Sequence, residues 1–596
     1  MTKTATEWGQ SAHAAPSIKR IDPWGWLLAS LLIGAFLAVL TLALLWRPLP
    51  GLPPPPFPML EHLSYWTKLA IRLVMRSAFE SESRVYAKFW AGLESSERVA
   101  IAWRASFAAI AACAPAIWLA SSFLKPRDAL IHMRGSRRYE GSEAVGALNR
   151  KLASSAKLRP DHEIAPGVVY PTDMFTRHIL LVGGTGSGKS TTMKRLIDQV
   201  VRNGEQVILF DPKSEFTAAF GAPEIFAPWD SRSLSWDLAR DMRNTLDMRR
   251  FAAAMIRESH DPMWSNASRQ LLVGVMIHLK SAQGDDWGWS ELSEMLSRPQ
   301  LELLEIMRRY HPEAVRSVEK ASVTTAGILI NLSSFCGPIF DLAKAWGDSP
   351  PERRVSFVEW ILTGREHRQL ILQGHGAYGE LTKSYVEGIV GLISAMVSSV
   401  EMDDDPSRKI SFIADEFAQM GKLPGVRQLF EMGRSRGVRC CVAVQDLGQL
   451  EEIYGAPMVK AIVSMCGTMI IGQMMQGDTA KALCDAMGSR EVERPNVSVS
   501  QNATGFGSSK TFSFSREEVS LYKPSELASR LGLTPDGKGV KLILFTGGDA
   551  HELVWPHFPH RKERPRHMPA PWTAGARQLD EVPRELPNEP PSEPSA

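Results

Sequence analysis

A glycine-rich segment ending in a lysine and a serine is the part of the chain whose residue types predict chemistry most directly. Gly183–Ser190 reads GGTGSGKS and fits the pattern G-x-x-x-x-G-K-[ST], in which backbone N–H groups wrap phosphates. In that pattern Lys189 reaches the β- and γ-phosphates, and the Ser190 hydroxyl binds Mg²⁺. The sequence therefore predicts a site for ATP and Mg²⁺. Its residues are Gly183, Gly184, Thr185, Gly186, Ser187, Gly188, Lys189, Ser190 and Thr191.

An acidic pair that follows an apolar strand supplies the partner that such a loop requires. Ile410–Glu416 reads ISFIADE. Asp415 would hold Mg²⁺ together with Ser190, and Glu416 is placed to activate the attacking water as general base. Strands often end in solvated polar turns, but the coexistence with the phosphate loop favours the catalytic interpretation. An intact Glu416 also favours hydrolysis over nucleotide binding alone.

Two further segments offer polar groups to the same chemistry. Val442–Gln445 is an apolar strand that ends in an amide, and Gln445 could hydrogen-bond the γ-phosphate or the attacking water. Arg434 and Arg436 lie in GRSRG between the two strands, and one of them could stabilise charge on the transferring phosphoryl group. A solvated basic turn is the alternative, and the residues alone favour that alternative.

The elements that must position these motifs alternate between apolar strands and helices, which predicts an α/β unit with a parallel sheet. Between Asp247 and Trp346 the apolar spacing becomes helical, which predicts an inserted all-α domain. Residues 501–515 are rich in glycine and serine and are expected to form a mobile loop. The strands are predicted at residues 178–183, 206–210, 369–373, 410–414, 438–444, 467–472 and 540–546.

Two apolar runs near the amino terminus predict a membrane anchor. Trp24–Trp46 is uncharged and long enough to cross a hydrocarbon core of about 30 Å, with tryptophans at both ends. A cleaved signal peptide is the alternative, but its apolar region would be shorter and followed by a small-residue cleavage site. A second uncharged run covers Ala105–Leu124, where Pro115 is expected to cause a kink. Because ATP is cytosolic, residues 47–98 should lie outside and both termini inside.

Composition narrows the class of protein without identifying a partner. The chain has 596 residues, of which 44% are hydrophobic and 22% are charged, so bulk disorder is excluded. Lys plus Arg is 68 and Asp plus Glu is 65, so net charge gives no argument for a nucleic-acid partner. The six cysteines form no Cys-x-x-Cys pair and predict reduced thiols rather than a zinc or redox site.

These motifs, taken in order, resemble one family. The chain is similar up to about residue 555 to the coupling proteins of type IV secretion systems, the TraG/TraD-like conjugative ATPases. The combined order of the segments and the AVQD sequence are more specific than the phosphate loop alone. The matching segments are GGTGSGKST, DPKSEF at Asp211–Phe216, PWDSRSLSWDL at Pro228–Leu238, DPMWSNASRQLL at Asp261–Leu272, ADEFAQMGKLPGV at Ala414–Val426, GRSRG at Gly433–Gly437 and AVQDLGQLEEIYG at Ala443–Gly455.

The resemblance implies properties that the residues alone do not give. It implies a RecA-like motor domain with an inserted all-α domain behind two transmembrane helices in the bacterial inner membrane, assembled as a homo-hexamer. It also implies that Arg434 is an arginine finger acting on a neighbour's nucleotide. The implied partners are relaxase-bound single-stranded DNA or protein cargo, relaxosome proteins and a type IV secretion channel.

The predicted organisation divides the chain into seven segments. Their boundaries are 1–23 for a cytoplasmic terminus, 24–46 for the first span, 47–98 for a periplasmic loop, 99–124 for the second span, 125–245 with 351–555 for the RecA-like domain, 246–350 for the all-α domain and 556–596 for a disordered proline-rich tail.

Two other functions remain open at this point. A DNA translocase of the FtsK/HerA kind would share the nucleotide chemistry, although such chains usually have more spans and a folded carboxyl-terminal reading domain. A membrane receptor that only binds nucleotide would not need Glu416 and Gln445. An ABC-type pump is disfavoured because the chain has no LSGGQ-like signature.

Overall fold

A computed structural model gives the structure of the protein for residues 23–48, 55–75, 78–123, 131–154, 160–317, 323–501, 508–559 and 561–574. The chain divides into two compact units, Met1–Ala129 and Leu130–Ala596. The first unit is helical and the second holds all the predicted site residues.

The first unit consists of helices that pack closely in pairs. A Cβ atom at Gly34 would lie 2.6 Å from the Ala112 carbonyl oxygen, so glycine is required for that approach. Arg104 is buried, and its Nε donates to the Leu45 carbonyl at 2.7 Å, which satisfies a carbonyl at the end of a helix. The helices are α1 (Pro23–Leu45), α2 (Met59–Val74), α3 (Glu80–Gly92) and α4 (Ser95–Phe123).

The first predicted span has the length and the apolar composition of a helix that can cross a membrane. Among the described residues, one helix is long and apolar enough to cross a membrane, through Leu28–Leu45. A bent pair of helices, Thr325–Phe335 and Gly337–Trp346, would qualify only if it were a single span. The second predicted span lies within α4, a helix of 29 residues that contains Pro115, and its membrane-spanning role stays a prediction.

A large, mostly parallel sheet forms the centre of the second unit. Its strand order is β2-β18-β17-β13-β5-β12-β11-β6-β10-β7, with β16 at the side of β17. The strands are β1 (Ile131–Gly135), β2 (Arg138–Glu140), β3 (Pro160–Ala165), β4 (Val168–Pro171), β5 (Ile179–Val182), β6 (Gln206–Asp211), β7 (Glu224–Phe226), β8 (Ser235–Trp236), β9 (Arg354–Val355), β10 (Gln369–Gln373), β11 (Ile410–Ala414), β12 (Val438–Val444), β13 (Thr468–Ile471), β14 (Ser489–Gln501), β15 (Ser508–Ser520), β16 (Gly532–Leu533), β17 (Gly539–Thr546) and β18 (Asp549–Pro556).

Helices cover both faces of this sheet, which explains why its central strands are buried and mostly apolar. Strands β5, β6, β11 and β12 are buried at every position. The helices are α5 (Gly141–Ser154), α6 (Thr172–Phe175), α7 (Lys189–Arg202), α8 (Glu215–Ala219), α9 (Leu238–Asp241), α10 (Thr245–Met255), α11 (Pro262–Gln283), α12 (Trp289–Leu296), α13 (Gln300–Tyr310), α14 (Val323–Phe335), α15 (Gly337–Trp346), α16 (Phe357–Thr363), α17 (Gly379–Val397), α18 (Val426–Arg436), α19 (Leu447–Tyr454), α20 (Ala456–Met465), α21 (Asp478–Met487), α22 (Pro524–Arg530) and α23 (Pro571–Ala574).

The strand order places the predicted motifs at one edge of the sheet. Strands β5, β12, β11 and β6 are neighbours in that order and run parallel. Their carboxyl ends therefore meet at the same edge, where ligands bind in open α/β sheets. The phosphate loop follows β5, the acidic pair follows β11 and the amide follows β12.

The helical insertion leaves and rejoins the sheet through two short strands. Strands β8 and β9 pair in parallel, with Ser235 opposite Arg354 and Trp236 opposite Val355. Within the described residues between β8 and β9, the regular elements are all helical, from α9 to α15 with short 3-10 turns. The all-α character predicted from the apolar spacing is therefore present in this region.

The prediction of a disordered tail from residue 556 is wrong as far as residue 574. Residues 561–574 form a strap against the rest of the second unit, in which Trp572 Nε1 donates to the Pro228 carbonyl at 2.8 Å. Arg564 Nε donates to the Thr217 carbonyl at 2.8 Å, and Ala570 is buried. Backbone bonding to the existing fold orders this proline-rich sequence without any apolar period of its own. Residues 575–596 lie outside the described part.

The predicted mobile loop at residues 501–515 is wrong for residues 508–515. Residues 508–515 belong to β15, which pairs along its whole length with β14 and thereby joins β1 in a second sheet. Apolar and polar residues alternate in Thr511–Ser515, and this two-residue period is typical of a strand. The glycines that suggested a loop lie in residues 502–507, which are outside the described residues.

Candidate nucleotide site

The phosphate loop connects β5 to α7 in a conformation that needs glycine. Gly186 has φ 77° and Gly188 has φ 90°, in the left-handed region that L side chains rarely adopt. A Cβ atom at Gly183 would lie 2.5 Å from Ser187 Oγ, and one at Gly188 would lie 2.7 Å from a methyl group of Val540. The loop is therefore closely surrounded, and α7 begins at Lys189 with its amino end towards the loop.

The side chain of Lys189 folds back towards the first two residues of the loop, Gly183 and Gly184. Lys189 Nζ donates to the carbonyl of Gly184 at 3.0 Å and also to that of Gly183. Neighbouring strands fix the start of the loop, since Gly184 N donates to the Gln473 carbonyl at 2.9 Å. Burial lowers the pKa of Lys189, while the charges of Glu416 and Asp415 oppose that effect.

The predicted magnesium ligands are in contact with each other. Ser190 Oγ lies 3.1 Å from Asp415 Oδ1 and 3.2 Å from Oδ2. Hydroxyl and carboxylate oxygens are the donors that Mg²⁺ accepts, and one or two protein ligands are usual for it. The pKa of Asp415 is raised by burial, while the charge of Lys213 and the bond from Ser190 act in the opposite direction.

The predicted base and the predicted amide are also joined directly. Gln445 Nε2 donates to Glu416 Oε2 at 2.7 Å, and Thr185 Oγ1 donates to Gln445 Oε1 at 3.3 Å. This chain of contacts links the phosphate loop to the carboxylate through the end of β12. Burial raises the pKa of Glu416, and the bond from Gln445 and the charge of Lys189 reduce that rise.

The residues present fit a magnesium nucleotide. Ser187 Oγ and Glu416 Oε1 are buried without a hydrogen-bond partner among the described residues, and buried polar groups are normally satisfied. One group lies in the loop and the other on the base, so both sides of the site retain bonding capacity. Such a ligand would find partners for each of its parts. The phosphates would contact the backbone N–H groups of the loop and the ammonium of Lys189, and Mg²⁺ would contact the oxygens of Ser190 and Asp415. We refer to Lys189, Ser190, Asp415, Glu416 and Gln445 as the carboxyl-edge site.

Arg434 does not lie in this site within its own chain. Helix α18 returns from the carboxyl edge and ends at Arg436, directly before β12 begins, so Arg434 lies near the opposite edge of the sheet. Its charge helps to lower the pKa of His178, although burial is the main reason that this pKa falls to about 4. Arg434 is exposed, whereas Arg436 forms an ion pair with Asp404 at 3.2 Å.

A turn after β6 is a component of the site that sequence reasoning did not assign. Asp211 at the end of β6 is buried, and its carboxylate accepts the backbone N–H groups of Glu215 and Thr217 at 2.9 and 2.7 Å. Burial raises the pKa of Asp211 to about 6. The available signal was the position of DPKSEF directly after the predicted strand at residues 206–210.

A second charged cluster occupies the amino edge of the same sheet. Asp161 accepts from Lys409 Nζ at 2.6 Å and pairs with Arg439 Nη2 at 2.7 Å. His162 lies between the two acids, 2.8 Å from Asp161 and 3.3 Å from Glu205. We call these five residues the amino-edge cluster. Asp161, His162 and Glu205 have the spacing of a metal site, but Lys409 and Arg439 already balance the two carboxylates.

A family model and a curated relative match most of the second unit. The model described as the type IV secretion-system coupling protein DNA-binding domain matches residues 162–543. "Coupling protein TraD" of Escherichia coli (strain K12) is 21% identical over 367 residues, which are 61% of this chain and 51% of the relative. The chain thus spans about half the length of that relative.

Solved structures share the fold of this chain. The bacterial conjugative coupling protein TrwBdeltaN70, in a trigonal form with sulphate, has a TM-score of 0.59 and 19% identity over 74% of this chain and 98% of its own. Plasmid coupling protein TrwB with ADP and Mg²⁺ has a TM-score of 0.57 and 18% identity, over 74% and 98%. These likenesses confirm the RecA-like α/β fold with its all-α domain.

Proposed function

This chain belongs to the family of type IV secretion-system coupling proteins, and from that premise we propose that it is a membrane-anchored ATPase motor. The proposed motor uses ATP hydrolysis to deliver relaxase-bound single-stranded DNA, protein, or both to a type IV secretion channel. The observation that carries this proposal is the joined pair of contacts Ser190–Asp415 and Gln445–Glu416 beside the phosphate loop. The name of the relative TraD and the nucleotide complexes of TrwB support it.

In the proposed reaction each side chain of the carboxyl-edge site has one task. Glu416 accepts a proton from water as the water oxygen bonds to the terminal phosphorus, and the bond from that phosphorus to the ADP oxygen breaks. Lys189 neutralises phosphate charge, and Gln445 orients the base or the water. Ser190 and Asp415 would hold Mg²⁺, which supplies charge neutralisation to the phosphates.

Arg434 is proposed to act on the nucleotide of a neighbouring subunit in a homo-hexamer. Its exposure at the edge opposite its own phosphate loop supports an action in trans, because it could reach only another copy's site. Arg436 is a weaker candidate since Asp404 already engages it. Loss of turnover in assembled Arg434→Ala, with unchanged nucleotide binding, is the expected result.

The anchor is proposed to have two spans, α1 and α4, in the bacterial inner membrane. The motor and both termini would then be cytoplasmic, and α2 with α3 would lie in the periplasm. The apolar stretch Leu28–Leu45 supports the first span, and the sequence run Ala105–Leu124 supports the second. A Ser81→Cys variant tests this topology. A thiol reagent added outside intact cells should label position 81, and labelling only after lysis would contradict the topology.

The proposed function is tested with the full-length chain in detergent and in cells. ATP turnover should rise when single-stranded DNA is added, and a deletion strain should lose conjugative DNA transfer in a mating assay. Normal transfer in that strain would remove the conjugative role and favour a translocase of the FtsK/HerA kind. Nucleotide binding without any turnover would favour a receptor instead.

A further inference from the structure

The turn after β6 carries a lysine that the reaction described above does not use. Strand β6 pairs in parallel with β11, with Phe210 opposite Ala414. The residues that leave β6 therefore emerge beside Asp415 and Glu416, which leave β11 at the same edge. Lys213 is exposed and forms no hydrogen bond or ion pair with the part of the chain that the structure describes.

The turn that presents Lys213 is held rigidly. The buried Asp211 carboxylate accepts three hydrogen bonds, from the Glu215 and Thr217 backbone N–H groups and from Thr217 Oγ1 at 2.9 Å. The Asp211 carbonyl accepts the Gly374 N–H at 3.1 Å. A Cβ atom at Gly374 would lie 3.0 Å from Pro212 Cα, so the segment after β10 packs directly on the turn.

The residue after the lysine has an unusual backbone conformation. Ser214 has φ 53°, in the left-handed region that is unfavourable for a non-glycine residue. Such residues persist where the surroundings hold them, and they concentrate at functional sites. Here the bonds of Asp211 provide the restraint, on the side of the sheet edge that holds the catalytic acids.

The acid in the turn of Lys213 pairs directly with a different lysine. Glu215 Oε2 lies 2.7 Å from Lys194 Nζ on α7. Burial raises the pKa of both Asp415 and Glu416, and the charge of Lys213 reduces both rises. The same charge adds to the burial that lowers the pKa of Lys189. Lys213 therefore shares one electrostatic environment with the lysine and the acids of the carboxyl-edge site.

We propose that Lys213 is a further catalytic residue, a second cation that contacts the terminal phosphate from the β6 side while Lys189 contacts it from the loop side. This inference rests on the proposed ATPase function. As the bond between the terminal phosphorus and the ADP oxygen breaks, charge on the phosphoryl oxygens is stabilised by preorganised donors. ADP has no terminal phosphate, so Lys213 also makes the site prefer ATP to ADP.

The test compares full-length wild type with Lys213→Ala and Lys213→Arg. The alanine variant should lower kcat by about 100-fold, as removal of one preorganised donor does. The ratio of its affinities for a non-hydrolysable ATP analogue and for ADP should fall roughly tenfold. The arginine variant should recover most of each property.

Lys194→Ala is the matched control, because it removes a lysine that contacts the same turn but pairs with Glu215. It should keep the affinity ratio and the kcat of the wild type. An unchanged ratio and kcat in Lys213→Ala would overturn the proposal, and so would equal losses in Lys194→Ala, which would indicate a structural effect of the turn. A wild type that binds ATP without turnover would refute the ATPase function, while the affinity ratio would still judge Lys213.

Discussion

The two edges of the central sheet each carry a group of buried charges, and the groups differ in how those charges are balanced. In the amino-edge cluster, two carboxylates face two cations and a histidine from the same chain. In the carboxyl-edge site, Glu416 Oε1 and the neighbouring Ser187 hydroxyl are buried without a hydrogen-bond partner among the described residues. Several atoms of Asp161, His162, Glu205 and Arg439 also lack a hydrogen bond, but each of these four residues lies in an ion pair within the amino-edge cluster. Both groups contain buried carboxylates, so burial alone does not distinguish them.

The difference between the two edges indicates which buried charged groups are expected to take part in a reaction. A cluster whose charges are paired within the chain needs no ligand to balance them. A site that keeps unpaired donors and acceptors, with raised acid pKa values, has the properties expected of a reactive centre. Mutations at the two edges should therefore separate, with loss of turnover at one edge and loss of stability at the other.

Among the variants that compare the two edges, Glu416→Gln is expected to have the largest effect, and the effect is on turnover. The amide cannot accept the proton of the attacking water, so turnover should fall by about 10³-fold. Nucleotide affinity and thermal unfolding should stay at wild-type values, since the side chain keeps its shape. Steady-state turnover and a fluorescent nucleotide titration measure the two properties. Wild-type turnover in this variant would contradict the assignment of the base.

Arg439→Met should act on stability alone. It leaves Asp161 and Glu205 buried with only one cation, which should reduce the free energy of unfolding by roughly 3–5 kcal/mol. Arg427→Met is the control, because the Arg427–Glu431 pair is exposed and such pairs contribute about 0–1 kcal/mol. Denaturant unfolding gives both values. Equal losses in the two variants would erase the distinction between the edges.

The amino-edge cluster should also make stability depend on pH through His162. Burial would lower the pKa of His162, but its bonds and charges with Asp161 and Glu205 outweigh burial and raise it. A raised pKa in the folded state adds stability that is fully present below the ordinary value of 6.5 and is lost as pH rises through the folded pKa. Thermal unfolding across this range should show that loss, and His162→Gln should remove it.

Thr185→Val should have the smallest effect. It removes the 3.3 Å contact from Thr185 Oγ1 to Gln445 Oε1, which is exposed and neutral, so turnover should fall by about threefold. Stability should be unchanged. A loss as large as that of Glu416→Gln would mean that the phosphate loop orients the amide, and the carboxyl-edge site would then be more tightly coupled than its contacts indicate.

The residues of the carboxyl-edge site were all selected from local sequence patterns. The phosphate loop, the acidic pair and the amide each follow an apolar strand, and parallel strands bring their carboxyl ends together whatever the distance along the chain. The contacts Ser190–Asp415 and Gln445–Glu416 follow from that rule. Lys213 was visible in the sequence but had no role, because its relevance depends on β6 lying beside β11.

The amino-edge cluster, the strap and the long hairpin could not be predicted in the same way. Asp161 and Arg439 are far apart in the chain, and no periodicity or motif connects them. The strap at residues 561–574 has no apolar pattern, and its order comes from hydrogen bonds to backbone carbonyls such as those of Pro228 and Thr217. Sequence patterns report a segment's own preferences, whereas these features depend on surfaces that only the folded chain provides.

The stem formed by β8 and β9 has a mechanical consequence. The two chain crossings to the all-α insertion are adjacent strands, which by itself would suit a hinged lid. However, Trp289 Nε1 donates to the Trp236 carbonyl at 3.0 Å, and Trp346 packs on Phe226 of the sheet with ring centroids 4.9 Å apart. One continuous apolar core joins the insertion to the sheet. The insertion is thus packed firmly on the sheet. We expect a displacement of the sheet to move the insertion with it, with no hinge motion at β8 and β9.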